Sequence, residues 1–272
     1  MDAIKCILRN AFMLAVFFTG GCSMGITPEK AMIEKMLAGK DVLVNNQSFD
    51  VDIDLTQELV FHLSTPGVMK AVVESNLIFE EINFNKFITF SDKDSLLYRV
   101  EFRGDVVFNQ CVFREHVDFS HATFDRAFSL VNSSFMEDFV MHNTLLKERN
   151  VSLNHVRFYK NASFVNTIFS HNVQFFGAEF LGNALFQGTS FNGQTLWGNA
   201  RFEGYTEFGN TYFGQKVNFS EAQFLQRTNF AGMTCMLEAN FSRVQFIEPA
   251  DFTRTDFRGE SMFENAISPK TE

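Results

Sequence analysis

Proline is scarce in this chain, four in 272 residues, and tryptophan scarcer still, at one. So little proline beside a hydrophobic content of 46% excludes a disordered chain. Cysteine is sparse as well: Cys6, Cys22, Cys111 and Cys235 are the whole set, which excludes a disulfide framework. Clustered positive charge is missing. The net charge is −9, which argues against a surface for binding nucleic acid. The short motifs of nucleotide-binding and hydrolytic enzymes are absent too: no P-loop, no glycine-rich dinucleotide fingerprint and no nucleophile elbow. The six histidines, His62, His116, His121, His142, His155 and His171, show no spacing that would ligate a metal. The glycines Gly193, Gly198, Gly204, Gly209 and Gly214 read as corner residues, where a positive φ is useful, rather than as a phosphate cradle. A catalytic carboxylate pair has no sequence support either.

What is abundant is phenylalanine, 36 residues of it, and it keeps time. In KVNFSEAQFLQRTNF (216–230), Phe219, Phe224 and Phe230 lie five and then six residues apart. Stepping 5, 6, 5, 6 forward reaches Cys235, Phe241, Phe246, Phe252, Phe257 and Phe263. Stepping backward reaches Phe213, Phe208, Phe202, Trp197, and so on to Phe158. After one extra residue near 147–150 the beat continues from Leu146 to Phe102. Every hit from Phe102 to Phe263 is apolar, so the chain carries an internal repeat of eleven residues in two unequal halves.

Two residues before many of these centres sits a small or β-branched residue such as Val217, Ala222, Thr228 or Ala239, with a polar residue between. Apolar offsets of 0, 2, 5 and 7 scatter around a helix at about 100° per residue, so a helical coil is excluded. In an extended segment, residues two apart share a face. Small–polar–Phe is then a very short strand with both apolar residues inward, and the residues after it turn a corner. Burying one Phe contributes roughly 1.5–3 kcal/mol while ordering costs about 1.5 kcal/mol per residue. Only a stack of coils is stable.

The motifs AQF (222–224), ANF (239–241), VQF (244–246) and ADF (250–252) resemble the Phe-centred pentapeptide-repeat proteins, over about 42–263. The resemblance implies an all-β solenoid, a right-handed quadrilateral parallel β-helix with a short N-terminal capping helix. This chain departs from it by one residue in every second half. That gives 22 residues per coil and is expected to open alternate corners. From residue 100 onward about seven and a half coils are expected, a rod of ~36 Å.

The ends are legible in outline. In ITPEKAMIEKMLAGKD (26–41), Thr27 is an N-cap, Pro28 the first helical residue and Gly39 a stop, which predicts the capping helix. The repeat begins at residue 42 and breaks at 56–75, a helical or looped excursion around Pro66-Gly67, to resume at Phe79. A second excursion occupies 91–99, and 264–272 form a polar tail.

Residues 1–21 have the layout of a signal peptide. Lys5 and Arg9 precede an apolar run at 11–18 that is too short to span a membrane, and Gly20, Gly21 and Cys22 follow. This resembles a bacterial lipoprotein signal, in which the cysteine is lipidated, although Thr19 stands where an aliphatic residue is usual. The implied site is Cys22, with residues 22–41 as linker and cap. Lipid on Cys22 gives stable anchoring, and Ser23 favours the outer over the inner membrane. A plain cleaved signal, an uncleaved anchor and a cytosolic start are the alternatives.

Three function classes remain. The first is a non-enzymatic interaction or structural rod anchored in the bacterial envelope, with no cofactor and no nucleic acid, whose partner is a second copy or another envelope protein. The second is a cytosolic acidic DNA mimic that binds a topoisomerase, as some acidic members of the resembled family do. Against it, between residues 161 and 200 only Glu179 is ionised. The third is an enzyme on a β-helix, such as an acyltransferase with hexapeptide repeats, which would keep a strict beat of six. The candidate contact surface is the column of residues that follow the centres of one face: Met136, Tyr159, Leu181, Leu225 and Ile247, interrupted by Glu203 and preceded by Arg114.

Overall fold

The computed structural model describes residues 27–89 and 98–269. The leader, Cys22 and most of the second excursion lie outside the described residues.

Strands of mostly two residues assemble into four parallel sheets of nine or ten strands, one per face of a quadrilateral solenoid. The faces are named A to D in chain order. Face A starts at Val42–Asn45, face B at Ser48–Phe49 and face C at Ile53–Asp54, and face D is completed by Val68–Val73. Seven regular coils follow over 106–257. Their register is the one the Phe beat implies: Val112 pairs with Ser134, and Phe202 with Phe224. The extra residue near 147–150 is real. Across that one coil the step becomes 23, with Ser129 opposite Ser152 and Leu145 opposite Ile168.

The centres point inward and stack on the centres of the neighbouring coils. On face B, Phe113–Phe135, Phe180–Phe202 and Phe202–Phe224 lie 4.5, 4.9 and 4.7 Å apart between ring centroids, within 5° of parallel. That spacing is the distance between hydrogen-bonded strands, so the backbone ladder itself sets the ring stack. Rings of adjoining faces meet edge to face, as Phe208 meets Phe219 at 81°, the other favoured aromatic geometry. Volume is conserved within a coil. Where a centre is Leu130 or Met141 the preceding small position holds Phe128 or Phe139, and where the centre is Cys235 it holds Met233; all six are buried.

The unequal halves make two kinds of corner. The five-residue steps, A to B and C to D, close with a bond from the N–H three residues past a centre back to that centre's carbonyl, as in Thr189 N to Phe186 O at 3.0 Å. The residue before the donor has positive φ and is most often Asn: Asn143, Asn166, Asn199 and Asn210 lie between 52° and 57°. Positive φ at the third residue is the type II turn pattern, which Asn tolerates. The six-residue corners carry no such bond among the described residues. The glycine expectation is corrected here, because none of Gly193, Gly198, Gly204, Gly209 and Gly214 has positive φ. At Gly193 and Gly204 the reason is close approach: an added Cβ would lie 2.2 Å from His171 C and 2.4 Å from Gly182 O, both in the preceding coil. Threonines at the small position of face D point inward and satisfy their hydroxyls on a carbonyl of the coil before. Thr189 donates to Phe164 O at 2.7 Å and Thr211 to Phe186 O at 2.9 Å.

At the N-terminal end, α1 (Pro28–Leu37) lies across the first coil, with Met32 and Met36 buried in the common core. Thr27 caps it through its side chain, Pro28 opens it, and Gly39 follows it at φ +66°. The segment 56–75 holds a single turn, α2 (Leu55–Glu58), and then an antiparallel hairpin of His62–Thr65 and Val68–Val73. Pro66-Gly67 is its two-residue turn, with Gly67 at φ +82°. The beat re-enters earlier than Phe79: Ala71 and Val73 are buried beneath Val100 and Phe102. In the tail, Ile267 bridges to Gln245 on face B.

Candidate functional site

The five residues of the candidate column fall in one line on face B, broken only by Glu203 between Leu181 and Leu225. Each sits one residue past an inward Phe, and its N–H donates to the centre carbonyl one coil back. Met136 donates to Phe113 O at 2.8 Å, Tyr159 to Phe135 O at 2.9 Å and Leu181 to Phe158 O at 2.8 Å. Glu203, Leu225 and Ile247 continue the line onto Phe180, Phe202 and Phe224. Ile247 is the most open, at 56%, and Tyr159 is exposed, whereas Met136, Leu181 and Leu225 are half-buried against their neighbours along the rod.

A polar ladder missed by the sequence reading runs beside this column, on the residues that precede the same centres. Arg157 binds Glu179 with two hydrogen bonds, 2.9 Å from Nε and 2.7 Å from Nη2. These bonds, and a weaker one to the Tyr159 hydroxyl, push the Arg157 pKa up. Its guanidinium lies 5.9 Å from the Tyr159 ring centroid. Arg201 reaches Glu203 at 2.9 Å and Gln223 at 2.6 Å. The signal was in the sequence, at the polar position of each repeat, but the pairing appears only when residues 22 apart are stacked.

Face C brings together residues that are far apart in sequence. His142 Nε2 lies 2.6 Å from Ser163 Oγ, and the His142 backbone N–H donates to Ser120 Oγ at 3.2 Å. Burial lowers the His142 pKa, against a smaller upward pull from Asp118. Asp118 is itself buried and accepts the Ser120 N–H at 2.8 Å, which commits one carboxylate oxygen to the backbone. His121 is also lowered, first by burial and then by Arg99. Of the other histidines, His116 stacks on Phe87 and His155 meets Phe176 edge to face. Among the described residues no group of three His, Cys, Asp or Glu is arranged to hold a metal ion.

A cavity of about 500 Å³ lies at the N-terminal end, between α1 and the hairpin, where Val60 and Leu63 are exposed. Its two cations, Lys70 and Arg103, are paired with carboxylates, Arg103 with Glu74 of the cavity wall. Lys70 and Arg103 both bind Glu101, and although burial pulls that carboxyl upward, the two cations hold it below its usual pKa. Cys22 lies outside the described residues. No helix among the described residues is long and apolar enough to cross a membrane.

Residues 175–223 match a family model described as pentapeptide repeats (9 copies). The matched stretch is the middle of the regular stack. Neither the curated proteins nor the solved structures gave a match to the chain.

Proposed function

We propose that this solenoid is a non-enzymatic rod that docks a protein partner along face B, held at a bacterial envelope membrane by lipid on Cys22. The observation that carries the reading is the face-B column, apolar at five of its seven positions from Arg114 to Ile247. Single exposed apolar residues need no explanation, but five exposed or half-buried apolar residues in one column over about 24 Å, broken only at Glu203, support a docking feature. The flanking Arg157, Glu179 and Arg201 supply the polar rim that such contacts use. The column alone is smaller than a standard interface, so a transient contact is the expected class, with a second copy or another envelope protein. The leader pattern around Cys22 supports the anchor, and Ser23 supports the outer membrane.

An acidic DNA mimic is disfavoured because many carboxylates are spent on cations within the rod, as in Lys147–Asp125, Arg157–Glu179 and Lys216–Glu238. The test has two arms. Cell fractionation with and without Cys22→Ser should show loss of membrane attachment or an uncleaved leader; palmitate labelling that persists in the variant refutes the anchor. Leu181→Asp with Leu225→Asp should leave the fold intact and reduce crosslinked dimer or co-purified partner. A wild type that is monomeric at high concentration, with no partner lost by the double variant, refutes the docking column.

A further inference from the structure

Over the seven coils from Val107 to Ser242, face A differs from the other three in carrying no ionised outward residue. Its outward positions flank the inward centres Phe108, Leu130, Leu153, Phe175, Trp197, Phe219 and Phe241. From Val107 to Ser242 these fourteen positions hold only Ser, Asn, Gln, Gly, Val, Leu and Phe. Since 20% of the chain is charged, about three ionised groups would be expected there. The nearest on this face are Glu80 one coil before and Glu264 one coil after. The Glu221–Arg243 pair lies beyond it, at the corner. Faces B, C and D each carry ionised residues within the same coils, for example Arg201, Glu207 and Lys147.

Two further observations sit in the middle of this uncharged face. Phe176 is 44% exposed, and its ring leans over Gly198, where an added Cβ would come within 3.3 Å of the ring. Around it the side-chain amides are held in one orientation. Asn154 accepts the Phe176 N–H at 2.9 Å and donates to Gln174 Oε1 at 2.9 Å. Two and three coils on, Asn218 and Asn240 each accept the N–H two residues ahead, at 2.9 and 2.8 Å. With the oxygens used, the NH₂ groups of Gln174, Asn218 and Asn240 are donors with no protein acceptor among the described residues.

We propose that face A binds a neutral glycan chain. A pyranose ring offers apolar C–H groups on its faces and hydroxyls around its rim. The C–H face suits an exposed aromatic ring, whose negative π-cloud attracts it. The hydroxyls suit fixed amide donors and serine hydroxyls, and an uncharged polymer suits a face without ionised groups. The strands present this array at a regular ~4.8 Å rise over seven coils, a track of about 30 Å, long enough for several sugars in an extended chain. The site is independent of the face-B docking column and of the lipid anchor.

The test titrates the full chain with two neutral probes, β-1,4-linked hexasaccharides of N-acetylglucosamine and of glucose, and with polygalacturonate as an anionic control. The expected result is saturable binding to a neutral probe that changes little with salt. Phe176→Ala should weaken it by about fivefold, the scale of one aromatic contact. Asn218→Asp with Asn240→Asp should weaken it comparably by removing the donors. Leu181→Asp, on face B, should leave it unchanged. No saturation with either neutral probe, equal affinity after Phe176→Ala, or tighter and salt-sensitive binding of the polyanion would each overturn the proposal.

Discussion

Phe202 and Phe176 give a paired test of which side chains point inward. Phe202 is fully buried, stacked between Phe180 and Phe224, with Trp197 and Phe208 beside it. The coils on either side are pinned by the ladder: Glu203 N donates to Phe180 O at 2.7 Å and Leu225 N to Phe202 O at 2.8 Å. A hole made by Phe202→Ala therefore cannot close by bringing the coils together. Core Phe→Ala changes cost about 3–5 kcal/mol, and a rigid site belongs at the upper end of that range. Phe176→Ala removes a ring that is 44% open to solvent, at an expected cost under ~1 kcal/mol. Equilibrium unfolding in guanidinium chloride, comparing midpoints at matched slopes, measures both. Equal losses, or a greater loss at Phe176, would refute the assignment of faces.

Three further outcomes follow from buried groups. The Trp197 indole N–H is buried without an acceptor among the described residues. Trp197→Phe trades roughly 1 kcal/mol of burial against relief of about 1–3 kcal/mol for the orphan donor. Stability in denaturant should thus match the wild type or exceed it by up to ~2 kcal/mol, and a loss as large as that of Phe202→Ala would contradict this. Cys111 and Cys235 are fully buried, and burial pushes their thiols up to about 11 and about 12. Native labelling should be slow at both, and because unfolded thiols titrate near ~8.5, stability should fall as pH rises from there through those values; rapid labelling of folded protein would show the register to be wrong. His142 and His121 are both lowered, so their stability contribution is present above the unfolded value of ~6.5 and is lost as pH falls below it. His142→Gln should flatten that acid arm, which an unchanged pH profile would rule out.

The solenoid was legible because its inward centres are mostly one type. With Phe at most centres, the 5–6 beat, the coil length and the one extra residue near 147–150 could be read directly. The N-terminal cap was legible from Thr27 and Pro28, whose local chemistry needs no tertiary context. The fourth face of the first coil escaped because its centre is Val73, not Phe, and lies on the second strand of an inserted hairpin. Phe128 and Phe139 escaped for the opposite reason, as large residues at small positions that compensate for Leu130 and Met141. The glycine misreading had a physical cause: a corner glycine serves positive φ or close approach, and only the stacked backbone tells which. The face-B column could be listed from sequence, but the Arg157–Glu179 ladder beside it and the His142–Ser163 contact depend on which residues the coil-to-coil register brings together.

The most direct measurement of that register is a disulfide ladder on face B. Leu181 and Glu203 occupy the same outward position in successive coils, so their Cα atoms are one strand spacing apart, ~4.8 Å, within disulfide reach. Leu181→Cys with Glu203→Cys should crosslink within one chain under mild oxidation, while Leu181→Cys with Leu225→Cys, two coils apart at ~10 Å, should not. If the second pair crosslinks as readily as the first, or the first fails while the protein remains folded, the 22-residue coil is contradicted.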